Sequence, residues 1–240
     1  MFQREFALRL VARPGDAMYS RLSVNAQFFA NISHVMKVGP KNFTPPPQVD
    51  SSVVRLEPRT NRPPISFDEF DGMLRVCFMR KNRTMRASWS GGQVGAMMAR
   101  NWTTWASIYP DKLTDQDRAF LRRGGDDGDD DDAGDEGDED AMAAAEDDAD
   151  VDVDVDMDMD MDMDMDMNTD MDKTGRLSAG KTLTLDGIKV ARTRVEALVR
   201  RKTEKVLKET GLGPKRAAKC HEAEFLQLLY AFNQEGLHFS

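Results

Sequence analysis

Two short segments of the chain concentrate basic residues at spacings suited to binding phosphate. The first carries four basic residues within seven positions, and the second carries two after a Gly-Pro turn. These residues are Arg80, Lys81, Arg83, Arg86, Lys215 and Arg216. Guanidinium and ammonium groups bind phosphate oxygens through charge-assisted hydrogen bonds, which makes both segments candidates for a phosphate-binding surface. The other interpretation of the first segment is a solvated helix end whose charge complements the helix dipole.

A single aromatic residue, Phe43, precedes a run of three prolines, Pro45 to Pro47. Each proline fixes φ at about −65° and biases the residue before it toward extended backbone. The Phe43 ring is therefore predicted to lie on a rigid arm that leads into an apolar strand. The alternative is a rigid loop whose phenylalanine belongs to the core.

The charge of the chain falls into three blocks that its net value of −9 conceals. Residues 1–123 carry 19 Lys and Arg against 10 Asp and Glu, and residues 173–240 carry 14 against 7. Both blocks are basic, as a phosphate-binding surface requires. Residues 124–172 carry 25 acidic and no basic residues, largely in Val-Asp and Met-Asp repeats. Because alternate aspartates would repel one another across a sheet, we predict disorder there.

The remaining composition excludes several kinds of site. Cys77 and Cys220 are the chain's two cysteines and no C-x-x-C pair occurs, so neither a disulfide framework nor a zinc site is predicted. We interpret Cys220, next to His221, as a buried and inert thiol. No apolar run approaches the roughly 18 residues of a membrane span, so no membrane contact is expected.

The elements that must position Phe43 form a small sheet with helices. Periodicity and turn residues predict an apolar start leading into a helix over residues 1–10, a helix over 20–29, and strands over 34–38 and 52–56. The two strands are expected to pair, with the Phe43 arm as their connection. Because Val53 and Val54 are adjacent, both faces of the second strand are expected to be covered.

Helices dominate the rest of the prediction. After a proline linker, Ser66 and Glu69 match the S-x-x-E capping box at the start of a helix. Apolar residues then recur at i, i+3, i+4, i+7 and i+8: Phe70, Met73, Leu74, Cys77 and Phe78. Two further helices are predicted, one capped by Asp186 and one over residues 225–232. No element is assigned in the tryptophan-containing stretch after residue 87, and its tryptophans are interpreted as packing residues.

Five segments, in this order and spacing, closely resemble the ribosomal RNA adenine N6,N6-dimethyltransferases, the KsgA-type family. They are Met1–Leu10 (M-F-Q-R-E-F-A-L-R-L), Tyr19–Val24, Phe43–Leu56 (F-x-P-P-P-x-V-D-S-S-V-V-R-L), Phe78–Thr84 and Phe225–Ser240. The last segment looks like the eukaryotic small-subunit branch. Little resemblance extends over residues 87–178.

The resemblance implies an α+β fold. The chain would contain the C-terminal remnant of a Rossmann-type methyltransferase sheet, reduced to an edge strand pair and a helix, and then a small helical domain interrupted by a disordered acidic insert. The implied domains are the C-terminal part of the catalytic domain (1–60), the first part of a helical RNA-binding domain (61–123), the acidic insert (124–180) and the second part of the helical domain (181–240).

The resemblance also implies a function, which is the S-adenosylmethionine-dependent N6,N6-dimethylation of adenines in small-subunit ribosomal RNA during ribosome biogenesis. The implied partners are that RNA and the pre-ribosomal particle. The protein would be a monomer in the nucleus or nucleolus, with the cytoplasm or an organelle as alternatives. A non-catalytic RNA-binding or ribosome-assembly module is the alternative function.

The family's cofactor-binding motifs are absent from this sequence. The glycine-rich loop, the acidic ribose-binding residue and the Asn-Leu-Pro-Tyr catalytic motif precede the Q-R-E-F-A segment in the family, and that segment begins here at Gln3. We therefore expect a C-terminal portion that is inactive alone. Residues 91–95 are glycine-rich, but they follow no predicted strand and do not substitute for the loop.

By resemblance, Phe43 matches the aromatic residue that covers one face of the target adenine, opposite the tyrosine of the missing catalytic motif. We expect six basic residues to contact RNA phosphates, as the family's helical domain does: Arg80, Lys81, Arg83, Arg86, Lys215 and Arg216. No residue is assigned to the cofactor or to a metal.

Overall fold

A computed structural model describes residues 1–122, 182–185 and 188–239. The predicted disorder of the acidic insert (124–180) and the predicted cap at Asp186 concern residues outside these ranges. Residues Met1–Arg122 and Thr182–Ser240 form one compact unit. The α+β class is confirmed, with one small antiparallel sheet, a hairpin and eight helices in the described residues.

The first part of the chain combines two helices with a three-stranded sheet. Its elements are β1 (Phe2–Gln3), α1 (Arg4–Val11), α2 (Arg21–Phe29), β2 (Ala30–Val38) and β3 (Ser51–Pro58). The sheet is antiparallel with the order β1-β3-β2, and a bulge between His34 and Met36 shifts the register of β2. The predicted helices and the predicted pairing of the two strands are confirmed.

The expectation that both faces of β3 are covered is wrong. Val54 is buried and packs with Ala7 and Leu10 of α1, while α2 contributes partly buried residues to the same cluster. Val53 points to the other face and is half-buried, and its partner Met36 is 55% exposed. Adjacent valines thus mark a strand that is covered on one face only, because both packing helices lie on that face.

Four helices follow the proline linker: α3 (Phe67–Met79), α4 (Met85–Trp89), α5 (Gly92–Ile108) and α6 (Asp115–Arg122). The predicted capping box at the start of α3 is not formed, because the Ser66 side chain makes no capping hydrogen bond. Glu69 instead accepts hydrogen bonds from the Phe239 N–H at 3.1 Å, and its other oxygen lies 3.1 Å from His238 Nδ1. Glu69 therefore ties the C-terminal segment to α3.

The last part of the chain contains a hairpin and two long helices. These elements are β4 (Thr182–Leu185), β5 (Ile188–Ala191), α7 (Arg192–Thr210) and α8 (Glu222–Gln234). The prediction of a helix starting near residue 186 is wrong, since Ile188 and Ala191 belong to a strand. Helix α7 ends at Thr210 and is capped by Gly211, whose φ of +68° suits glycine.

One main core joins the sheet-bearing part to the helices. It contains Val24 and Phe28 from α2 together with the predicted α3 stripe, and Trp102 and Phe232 are fully buried in it. The predicted division into domains at residue 60 stays a prediction. The tryptophans do pack, since Trp89 is 3% exposed. No described helix is long and apolar enough to cross a membrane.

Candidate nucleic-acid interface

The structure brings the two predicted basic segments together. The α3–α4 loop and the loop after α7 run side by side, and Thr84 and Arg216 form an isolated antiparallel bridge. Three backbone hydrogen bonds extend this contact: Met85 N–H to Lys215 O (2.8 Å), Arg86 N–H to Gly213 O (3.0 Å) and Ala218 N–H to Lys81 O (3.3 Å). We call the side chains of Arg80, Lys81, Arg83, Arg86, Lys215 and Arg216 the basic surface.

Four members of the basic surface are available for an anion. Arg80, Arg83, Arg86 and Arg216 are exposed, and in the described part of the chain no carboxylate lies within ion-pair distance of them. Lys81 is only half-exposed, and its ammonium donates to Ala17 O at 3.3 Å. The available positive charge is therefore concentrated in arginines, which bind phosphate through two parallel hydrogen bonds.

Lys215 is already paired. Its ammonium donates to the Glu224 carboxylate near the start of α8, and that hydrogen bond and the negative charge raise the pKa of Lys215. Partial burial alone would raise the pKa of Glu224, but hydrogen bonds from Lys215 and from the His221 N–H, with the positive charge of Lys215, outweigh it and lower this pKa. Lys215 is therefore the weakest phosphate ligand among the predicted residues.

A third loop, between α1 and α2, joins the same surface. The Gly15 N–H donates to Ala218 O at 2.8 Å, and the Tyr19 hydroxyl donates to Cys220 O at 2.9 Å. This loop carries Arg13, which is exposed, and the segment that it contacts carries the exposed Lys219. Lys219 follows Lys215 and Arg216 closely in the sequence, but Arg13 stands apart from both basic segments, so its relation to the surface becomes visible only after folding.

Phe43 lies in the loop that connects β2 and β3, as predicted. The base of the loop is closed by the Val38–Ser51 pair and by an ion pair of 2.5 Å between Lys37 and Asp50. Phe43 is half-buried and belongs to neither hydrophobic cluster. Its backbone is extended, with φ −124° and ψ 151°. The alternative of a core phenylalanine therefore finds no support in its surroundings.

The Phe43 loop projects from the end of the sheet at which β1 meets α1. Gln3, the last residue of β1, pairs with Ser51, and the Arg4 N–H donates to Asp50 O at 2.9 Å. The loop thus stands beside the carboxyl end of β1.

The described residues do not fit an S-adenosylmethionine cradle. The glycine-rich stretch Gly91–Gly95 begins α5, but it follows α4 and not a strand, so it lacks the strand–loop–helix geometry that holds such a cofactor. Within the described ranges, no group of three or more His, Cys, Asp or Glu side chains is placed to hold a metal ion.

Both cysteines lie in the core, which confirms the predicted burial of the Cys220 thiol. Cys77 and Cys220 are both 0% exposed, and burial raises the pKa of each, that of Cys220 to about 11. Both side chains are therefore thiols at neutral pH. Because the thiolate is the reactive form, neither is a candidate nucleophile.

Comparisons with known proteins agree on one family. The family model for ribosomal RNA adenine dimethylase matches residues 1–109. Over its whole length, the chain is 45% identical to a dimethyladenosine transferase of Chaetomium thermophilum and covers 59% of it. It is 41% identical to that of Eremothecium gossypii and covers 52%, and 42% identical to a ribosomal RNA small subunit methyltransferase of Arabidopsis thaliana and covers 57%.

A solved structure gives the same picture for the fold. The dimethyladenosine transferase of Plasmodium falciparum superposes with a TM-score of 0.62 over 100% of this chain and 57% of the other, at 24% identity. The chain thus spans between half and three-fifths of the length of the proteins that it resembles.

Proposed function

Because this chain belongs to the ribosomal RNA adenine dimethylase family, we propose that it serves the N6,N6-dimethylation of adenines in small-subunit ribosomal RNA during ribosome biogenesis. S-adenosylmethionine would be the methyl donor. The observation that carries the proposal is the basic surface, in which two segments 132 positions apart, at Thr84 and Arg216, pair and present exposed arginines. No carboxylate of the described residues pairs with these arginines. The proposed partners are that RNA and the pre-ribosomal particle, and the proposed site of action is the nucleus or nucleolus, with the protein as a monomer.

In this proposal the basic surface positions the RNA. Its four arginines neutralise phosphates and fix the register of the RNA strand: Arg80, Arg83, Arg86 and Arg216. Such phosphate contacts carry no information about the base sequence. The base is selected elsewhere, at the Phe43 loop. Because most of the RNA affinity would then come from phosphate contacts, we expect the affinity to depend strongly on salt concentration.

Phe43 would act on the target base. The N6 amine of adenine is a poor nucleophile because its lone pair is delocalised into the ring, so the base must be unstacked and held in one orientation. The Phe43 ring would cover one face of the unstacked adenine, as the resemblance implies. It lies outside the core on a loop beside the carboxyl end of β1, where such a base could reach it.

Methyl-donor binding is not assigned to this chain. None of the described residues forms the required cradle, so we propose that the 240-residue polypeptide by itself binds RNA but does not transfer a methyl group. The second candidate function, a non-catalytic RNA-binding or ribosome-assembly module, is favoured by the same observation. Isothermal titration of the chain with S-adenosylmethionine tests the proposed lack of a cofactor site, because saturable binding in the micromolar range would contradict it and would favour an enzyme that acts without further residues.

Salt-dependent RNA binding tests the proposed interface. We expect the affinity of the chain for single-stranded RNA to fall steeply with salt, and R83Q or R86Q each to reduce the slope of log K against log salt by about 0.7. K215Q should change the slope less, because Lys215 is paired with Glu224. R55Q is the matched control: it removes one positive charge from an exposed arginine that pairs with Glu57 on β3.

The outcomes distinguish the two interpretations of the basic residues. If R83Q and R86Q change the slope no more than R55Q does, the basic surface is only a solvated face. An affinity that does not depend on salt would contradict the phosphate interface as a whole.

A further inference from the structure

A series of aromatic rings runs from the core to the surface between α2 and α3. The rings of Phe70 and Phe28 are 0% and 2% exposed, and their centroids lie 4.7 Å apart. Phe28 meets Phe29 edge-on at 5.2 Å, and Phe29 lies 5.6 Å from Phe67. The two inner rings are fixed by the core, so they hold the outer two in place. Phe67, the first residue of α3, is nevertheless 47% exposed.

A cleft opens beside the two outer rings. It has a volume of about 480 Å³, within the range of roughly 300–1,000 Å³ typical of small-ligand pockets. The proline linker also lines the cleft, with Pro63, Pro64 and Ile65. Two prolines in succession restrict the backbone of this part of the lining. None of the residues that line the cleft is acidic.

Arg62 gives the cleft its charge. The Cζ atom of its guanidinium lies 4.8 Å from the centroid of the Phe29 ring, which is a cation–π distance. Arg62 is exposed, and among the residues that the structure describes no acceptor or carboxylate pairs with its N–H groups. A guanidinium whose face is stacked on a ring and whose edge donors are unpaired is suited to bind a phosphate.

We propose that this cleft binds one unstacked nucleotide of a single-stranded RNA, with the base on the Phe67 ring and the phosphate on Arg62. This proposal rests on the proposed function, because it takes RNA as the ligand. It adds an RNA contact that involves neither the basic surface nor Phe43. The combination of a half-exposed aromatic residue, a cation without an anionic partner among the described residues and a lining without acidic residues matches a nucleotide. An apolar peptide would leave the guanidinium covered without an anion, which is unfavourable.

The linker is anchored to the helix that borders the basic surface. The Arg59 N–H donates to Phe29 O at 2.9 Å, and the Arg59 guanidinium contacts both oxygens of Glu222 at 3.0 Å. Glu222 is the first residue of α8, and Glu224 in the same turn pairs with Lys215. The cleft and the basic surface are thus both connected to the first turn of α8.

The test uses the 240-residue chain and a single-stranded RNA of about ten nucleotides with 2-aminopurine at a central position, since stacking on the protein changes the emission of that base. F67A and F67L should weaken binding by about 5- to 140-fold, the range expected for loss of one base–aromatic stack. F67Y should bind as the unmodified chain does. R62Q should lower the slope of log K against log salt by about 0.7, whereas the Phe67 variants should leave it unchanged.

F67L is the decisive variant, because leucine keeps the apolar surface but removes the ring face. Full affinity of F67L would mean a merely apolar groove, suited to a peptide, and would overturn the proposal. Unchanged affinity of F67A would overturn it as well. Melting temperatures confirm that each variant is folded. If the unmodified chain binds RNA with a steep salt dependence and the Phe67 variants bind with the same affinity, only the proposed role of the cleft is refuted. If the unmodified chain binds no RNA, the proposed function fails too.

Discussion

At the scale of single residues, the structure separates Phe43 from the core that its type would suggest. The residue is half-buried in the β2–β3 loop and belongs to neither cluster. Its position in that loop was predictable from the Pro45–Pro47 run between two strands. Its exposure could not be predicted, because burial depends on which elements pack against the sheet. Helices α1 and α2 cover the face that carries Val54, and the face that carries Val53 is left uncovered by them.

Replacing Phe43 by alanine should lower methylation without affecting the cofactor. The measurement requires a polypeptide in which this chain is joined to the N-terminal part of a relative such as that of Chaetomium thermophilum. Loss of one base stack predicts a roughly ten- to hundredfold lower single-turnover rate. F43Y and F43W should retain part of the rate, because a π face is required and not a particular polar group.

The control for F43A is its stability. Truncation of a core phenylalanine would cost about 3–5 kcal/mol and impair cofactor affinity and catalysis together. We expect only a small change in melting temperature and an unchanged affinity for S-adenosylmethionine. A normal methylation rate in F43A would exclude Phe43 from the active site.

At the scale of elements, periodicity identified the helices that have a continuous apolar stripe. The α3 stripe of Phe70, Met73, Leu74 and Cys77 is buried as predicted. Helices α4 to α6 were not predicted from the sequence. In α5, the longest of them, glycine and threonine lower the local helix propensity. A signal was present, since Val94, Met98, Trp102 and Ala106 are buried and recur at intervals of four. Packing, which acts across the chain, outweighs propensity here.

The β4–β5 hairpin was missed for a different reason. Leu183, Leu185, Ile188 and Val190 alternate with polar residues on either side of an Asp-Gly pair, which is a common hairpin signal. The helical spacing of Ile188, Val195 and later apolar residues competed with it. Contacts such as the Thr84–Arg216 bridge could not be predicted at all, because nothing local in either loop specifies a partner 132 positions away.

A buried ion pair connects α6 and α7, and its loss should destabilise the helical part. Lys202 Nζ lies 2.9 Å from the Asp117 carboxylate, with both side chains at most 8% exposed, and it also donates to Glu235 O at 3.0 Å. D117A would leave a buried ammonium with only the Glu235 carboxylate, 3.5 Å away, as an ionic partner. We expect a loss of about 3 kcal/mol in the free energy of unfolding, measured by urea denaturation.

E204A provides the matched control for D117A. Glu204 also pairs with a cation of α7, Arg200, but both side chains are more than 60% exposed. Such a pair contributes no more than about 0.5 kcal/mol. Replacing both Asp117 and Lys202 by apolar residues should recover much of the loss. Equal stabilities of D117A and E204A would show that the buried pair does not fasten α6 to α7.

At the scale of the whole molecule, the overall acidity of the chain masks two basic blocks. The described core combines residues from 1–122 with residues from 182–239, and the Arg194 guanidinium donates to Phe120 O at 2.9 Å where the two parts meet. The described residues on either side of the acidic insert therefore pack against each other. The packing of these two parts could be predicted, because the apolar helical stripes lie on either side of the acidic block and the repeated aspartates of the block disfavour its burial.

Deleting residues 124–172 should preserve the fold and strengthen RNA binding. The deletion removes 25 acidic residues and leaves 33 basic against 17 acidic, so the net charge changes from −9 to +16. We expect a melting temperature close to that of the unmodified chain and a higher RNA affinity at low ionic strength. Because the Debye length is about 10 Å at 0.1 M salt and about 3 Å at 1 M, the gain in affinity should vanish as salt is added. A large fall in melting temperature would mean that the deleted residues support the core, and a gain that persists at high salt would mean that they block the RNA site by contact and not by charge.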